Sequence, residues 1–267
     1  MSIRSRLTRT FFFLAALASF TAMQGCGSSE YNRLVGKRLG ELRGEARFRS
    51  LFGPTTLTGT PVSIRVPQMF KNSYVEDSSH PIDGATIDPD RVQPPFLKLP
   101  GFKLCYETNL PDPERGNVPA YCYLGVVPGK AGDADLIAKD LHDKLKETFK
   151  DTPEFEVVDA DTPTGKPVQW KKLRITADQP FKILDPSTRK MVPQNLPGIF
   201  ELWVCDKTDY VVLMAFRAPT SVEGALPAPA ADTPAALPPA TPTKIDLSSV
   251  PALVAGSIAV SAPNTSG

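Results

Sequence analysis

Histidine is nearly missing from this chain: His80 and His142 are the only two among 267 residues. Histidine is the usual base near neutral pH, so the common hydrolytic constellations have little to draw on. Neither histidine is flanked by a G-x-S-x-G nucleophile motif. His142 stands among charged residues of a predicted helix and reads as a solvated surface side chain, while His80 precedes Pro81 in a polar loop with no rigid frame. Cysteine is scarce too, with four in all and neither a C-x-x-C nor an H-E-x-x-H spacing, which makes a poor zinc set. No glycine-rich loop leads from a strand into a helix in phosphate-binding register. Charge of one sign is lacking: Lys+Arg 30 against Asp+Glu 29 leaves +1, with no basic excess to suggest nucleic acid. These absences lead to an expectation of no catalytic residue, no metal and no cofactor. The acidic stretch with Glu76, Asp77, Asp83, Asp88 and Asp90 offers oxygen ligands for a hard cation, but it lacks the EF-hand pattern and reads first as a solvated loop.

What the chain does have begins at its N-terminus. Arg4, Arg6 and Arg9 precede an apolar run from Phe11 to Met23, and Gly25-Cys26 closes it. The run is well short of the roughly 20 residues that span a bilayer, so a lasting transmembrane helix is disfavoured. The order of basic end, apolar middle and small residue before cysteine resembles a bacterial lipoprotein signal. The resemblance implies cleavage before Cys26, acylation of Cys26 with chains such as palmitate, and a domain held by lipid on the extracytoplasmic (periplasmic) side of the cell envelope. Each buried CH₂ contributes about 0.8 kcal/mol, so several acyl chains would hold the protein on a membrane. The alternative is an ordinary secretory signal that leaves Cys26 as a free thiol.

Beyond the signal (residues 1–25) the chain divides into an anchored tether and spacer (26–59), a globular domain (60–218), a Pro/Ala-rich linker (219–249) and a C-terminal short helix with tail (250–267). The 28 prolines imply long irregular connections, and 41% hydrophobic content permits a true core. In the spacer, Leu34, Arg38, Leu42 and Ala46 fall at helical spacing with Leu39 beside them. It reads first as a solvated spacer and alternatively as a basic segment near anionic headgroups. Alternation in Val62, Ile64 and Val66 predicts a strand. Ile137, Leu141, Leu145 and Phe149 predict a helix over 134–149, capped by Asp133. Strands are expected at 155–159 and 168–176, then a loop carrying Pro180, Pro186, Pro193 and Pro197. Phe200 to Cys205 and Tyr210 to Arg217 are apolar on both faces and predict a central hairpin.

Cys105 and Cys122 lie in two strand-like segments, 102–107 and 120–127, around Asp112-Pro113-Glu114-Arg115-Gly116. Pairing the two cysteines centres the hairpin between Pro113 and Glu114, among the turn formers, so a cross-strand disulfide is expected. It would stabilise by about 3 kcal/mol. Two facing buried thiols are the alternative, with Cys205 left unpaired.

This order of elements predicts an α+β fold, an antiparallel sheet with packed helices of the α/β/α sandwich type, flanked by flexible Pro/Ala-rich segments. Val62-Ser63-Ile64-Arg65-Val66-Pro67, the helix holding Leu141 and Leu145, and Val211-Val212-Leu213-Met214-Ala215-Phe216 together are similar to the PsbP/Mog1-type domain. That resemblance implies a binding or assembly module without catalytic residues. The expected function is a lipid-anchored, non-enzymatic envelope protein that binds a protein partner and no nucleic acid. Alternatives are a small-ligand carrier, or an envelope hydrolase built on His80 and the loop from Asp83 to Asp90.

Overall fold

The computed structural model describes residues 30–36, 38–39, 48, 51, 53–57, 59–78, 82, 84–97, 101–163, 165–185, 187–223 and 247–260. Cys26 and most of the Pro/Ala-rich segment lie outside them. The chain divides into two units, Met1–Glu45 and Ala46–Gly267. In the first, residues 30–36 and 38–39 are helical and exposed.

The second unit is mixed α+β and mostly strand. Eight strands form one sheet: β3 (Asn72–Val75), β4 (Thr86–Ile87), β5 (Phe102–Asp112), β6 (Gly116–Pro128), β7 (Glu156–Ala160), β8 (Val168–Leu184), β9 (Met191–Lys207) and β10 (Tyr210–Pro219). They lie in the order β4-β3-β5-β6-β10-β9-β8-β7 and are antiparallel except β3 with β4. A smaller sheet joins β1 (Thr55–Thr56), β2 (Val62–Ile64) and β11 (Ala259–Val260) in the order β1-β2-β11. Strand pairing thus starts before Thr60, and Leu51 bridges to Pro67.

Residues 198–205 of β9 and strand β10 are buried on both faces, as their two-sided apolar pattern requires. On one face Phe200, Leu202, Val204, Leu213 and Ala215 meet Leu141 and Leu145 of the long helix Asp133–Thr148. On the other, Trp203, Cys205, Val212, Met214 and Phe216 pack with the small sheet and with the C-terminal helix Val250–Gly256. The outer layers are therefore a helix on one side and a small sheet with a seven-residue helix on the other. The C-terminal helix docks: Val250, Val254 and Ala255 are buried. Ser257 Oγ accepts the Arg65 N–H at 2.8 Å, across 192 residues of sequence.

Three expectations are corrected. The long helix is not capped by Asp133, whose carboxylate instead accepts the Lys130 N–H. Its N-terminal N–H groups go to Asp206 at the end of β9, which accepts from Gly132 and Ala134 at 3.0 Å each. A carboxylate there also faces the positive end of the helix dipole. Residues 180–184 and 191–197 are not a loop but the distal arms of the β8–β9 hairpin, and Pro186 lies outside the described residues. Pro180 pairs with Asn195, Pro193 with Lys182 and Pro197 with Asp178, so all three prolines share one parity of the ladder. Since Pro180 donates nothing, those are the pairs whose backbone groups point away from the partner strand, and no ladder bond is lost. The third correction concerns the cysteines. The β5–β6 turn holds three residues, Pro113 to Arg115, between paired Asp112 and Gly116. Asp112 accepts the N–H groups of Glu114 and Arg115 at 2.9 Å each, and Gly116 takes the left-handed φ of 80° that such a turn needs. A three-residue turn moves the register by one, which sends every side chain to the other face. Cys105 lies opposite Tyr123 and Cys122 opposite Tyr106; both are free thiols, as is Cys205.

Candidate functional site

Of the residues singled out in the sequence, Cys26, His80 and Asp83 lie outside the described residues. Of the rest of the acidic stretch, Asp88 pairs with Arg91 Nε at 3.2 Å and Glu76 with Lys103. Among the described residues no three His, Cys, Asp or Glu side chains are grouped to hold a metal. His142 is buried rather than solvated, its ring edge-on to Phe155 and its Nε2 3.6 Å from Glu154.

Polar chemistry concentrates elsewhere, under an arch made by the distal β8–β9 hairpin. Two strands separate β8 from β6 in the sheet, yet the two touch, because the hairpin curls back over the sheet. Gly198 sits at the bend: a Cβ there would stand 2.9 Å from the Phe181 ring, so only glycine lets the ring lie against β9. Beneath the arch is Arg217 of β10, 2% exposed. Its guanidinium stacks over Phe181 at 4.1 Å and lies 5.4 Å from Phe96 and 5.6 Å from Tyr121. Its Nε donates to Gln179 Oε1 at 3.0 Å, and its Nη2 to the Pro180 carbonyl. Among the described residues no carboxylate lies within ion-pairing distance of it. The cation is held by ring faces and neutral acceptors, an arrangement that serves weakly hydrated guanidinium better than ammonium. Gln179 is equally buried, and its Nε2 has no acceptor.

Next along the same row, Tyr121 of β6 stands between Arg217 and Glu107 of β5. Glu107 is buried, and Arg91 donates to it at 3.1 Å and to the Tyr74 hydroxyl as well. Burial pushes the Glu107 carboxyl up, with the Arg91 charge opposing. Burial and then the Glu107 charge push the Tyr121 hydroxyl far up, so it stays protonated and available as a donor. The cluster thus offers a caged cation, an orphan amide donor, a phenol and a buried carboxylate. That set suits holding a polar group; it places no activated nucleophile beside a base.

A second buried carboxylate, Glu201 of β9, faces the opposite side. Arg174 donates to it at 2.8 Å and Trp203 Nε1 at 3.1 Å, while the other arm of Arg174 reaches Glu223. Arg174, Glu201 and Glu223 line a cleft with Leu247 and Pro251, where the two described ends of the Pro/Ala-rich segment meet.

Sequence reasoning passed over Arg217, Glu107 and Glu201. The available signal was a single charge inside an otherwise apolar strand, clearest at Arg217 after Val211 to Phe216. A scan against protein-family models finds no match to this sequence, and a search of curated proteins finds none either.

Proposed function

We propose that this is a lipid-anchored protein of the bacterial cell envelope whose extracytoplasmic domain acts by binding a partner protein, without catalysis. The observation that carries the reading is the N-terminal order of Arg4, Arg6 and Arg9, the apolar run Phe11 to Met23, and Gly25-Cys26. On this reading Cys26 bears the acyl chains, and the domain is a PsbP/Mog1-type sandwich used for assembly. The filled faces of the main sheet support a rigid scaffold, with recognition left to loops and hairpin ends. Chemical crosslinking of the intact protein in its membranes, followed by purification and mass spectrometry, tests it. One recurrent envelope protein crosslinked to the domain supports the reading; acyl-free Cys26 contradicts the anchoring.

A second reading, a small-ligand carrier, is favoured by Arg217 and Gln179. A buried cation with only neutral partners and a buried amide donor with no acceptor together suit an acceptor-bearing ligand. Native mass spectrometry of the purified protein would reveal a retained ligand, and Arg217→Met would abolish its retention.

A further inference from the structure

The helical residues after Cys26 carry an apolar face that meets solvent. Tyr31 is 65% exposed, Leu34 53%, Val35 36% and Leu39 48%. At 3.6 residues per turn these four side chains fall within about 140° of arc. Arg33 stands on the far side, exposed, with a loose 3.9 Å pair to Glu30. Over residues 30–39 the sequence sets Arg33, Lys37 and Arg38 against Glu30 alone. Arg38 falls inside the apolar arc, and a long basic side chain at such a place can lay its stem along apolar surface while its charge reaches the headgroups. A narrow apolar stripe, aromatic at one end and holding a basic residue within it, is the pattern of helices that lie in a membrane surface.

We propose that residues 30–39 lie flat on an anionic lipid surface, with Tyr31, Leu34, Val35 and Leu39 turned into the acyl boundary. The inference rests on the anchoring of Cys26 proposed above and adds what covers this face. Three residues separate Glu30 from Cys26, and the four residue steps between them reach at most about 14 Å when extended. With Cys26 acylated, the helix starts within the headgroup layer and has no room to stand clear of it. Charge complementarity then favours anionic over zwitterionic lipid, by about five-fold for each basic residue near the surface.

The test uses the full acylated protein in vesicles of phosphatidylcholine, with and without phosphatidylglycerol. A polarity-sensitive fluorophore is placed through Leu34→Cys or, separately, through Gly36→Cys, whose Cβ meets nothing within 4 Å. Cys105, Cys122 and Cys205 are buried and stay unlabelled. The expected result is blue-shifted emission at 34, quenched by lipid-borne quenchers, with aqueous emission at 36. Arg38→Gln should lower the phosphatidylglycerol-dependent part of the shift at 34. Aqueous emission at both positions would overturn the proposal in favour of a solvated spacer. A shift at 34 that lipid quenchers leave untouched would overturn it in favour of a protein surface. Either failure would leave the acyl mass on Cys26 intact, whereas loss of that mass would defeat the anchoring itself.

Discussion

Cys105 and Cys122 occupy neighbouring strands one register step apart, and their side chains enter opposite cores of the same sheet. No rotamer change brings the two sulfurs together, because the sheet itself lies between them. Burial pushes the Cys105 thiol well up, Cys122 to about 12 and Cys205 to about 11. The reactive thiolate is therefore almost unpopulated at neutral pH. All three thiols should resist alkylation in the native protein and react fully in denaturant, with or without prior reduction. A Cys105–Cys122 crosslinked peptide in a non-reducing digest would contradict the register.

Asp206 joins the end of β9 to the start of the long helix, and its removal leaves the Gly132 and Ala134 N–H groups without that acceptor. Asp206→Ala should lower stability by about 1–2 kcal/mol, at the upper end of single-cap effects. Asp133→Ala should cost less, since Asp133 accepts only from Lys130 in an exposed turn. Urea unfolding of the two variants measures the difference, and equal losses would refute the capping assignment.

Gly256 marks how closely the C-terminal helix sits against the end of β7. A Cβ there would lie 1.9 Å from the Asp161 carbonyl oxygen, so Gly256→Ala must push the helix away. Overpacking of this kind costs about 1–3 kcal/mol. Gly36→Ala, with open space around it, is the control and should leave unfolding of the domain unchanged. An unshifted urea midpoint for Gly256→Ala would mean that the segment is not docked.

Two carboxylates tie stability to acid pH. Hydrogen bonds from the Ser187 and Thr188 hydroxyls lower Asp185, in the β8–β9 turn, from 3.8 to about 2. Burial alone would raise Asp112, but hydrogen bonds from Ser221 and from the Glu114 and Arg115 N–H groups outweigh it and hold Asp112 below the usual range. A carboxylate whose pKa falls on folding stabilises the fold above its unfolded pKa of about 4 and loses that contribution as pH drops through the folded value. Wild type and Asp112→Asn should differ most above pH 4 and converge on acidification. Convergence at neutral pH, or divergence in acid, would refute the assignment.

The long helix and the β9–β10 hairpin were legible because their patterns are local: Leu141 and Leu145 one turn apart, and Phe200, Leu202 and Val204 alternating against Trp203 and Cys205. The strand content of 180–197 was hidden because proline reads as a breaker unless the ladder parity is known. The cysteine pairing failed by a single residue of turn length, which the Asp112 side chain decides. Asp206 as a cap and Ser257 as a clasp are contacts across 72 and 192 residues, and nothing near either in sequence announces them. Arg217 is visible as a lone charge in an apolar strand, but its cage depends on the curl of a hairpin whose prolines read as loop.

The most direct test of the account is the intact mass of the mature protein extracted from membranes, with sequencing of its N-terminal peptide. The expected product is a chain that begins at Cys26 and carries the added mass of acyl chains on that residue. A chain that begins elsewhere, with Cys26 removed or present as a free thiol, would contradict it.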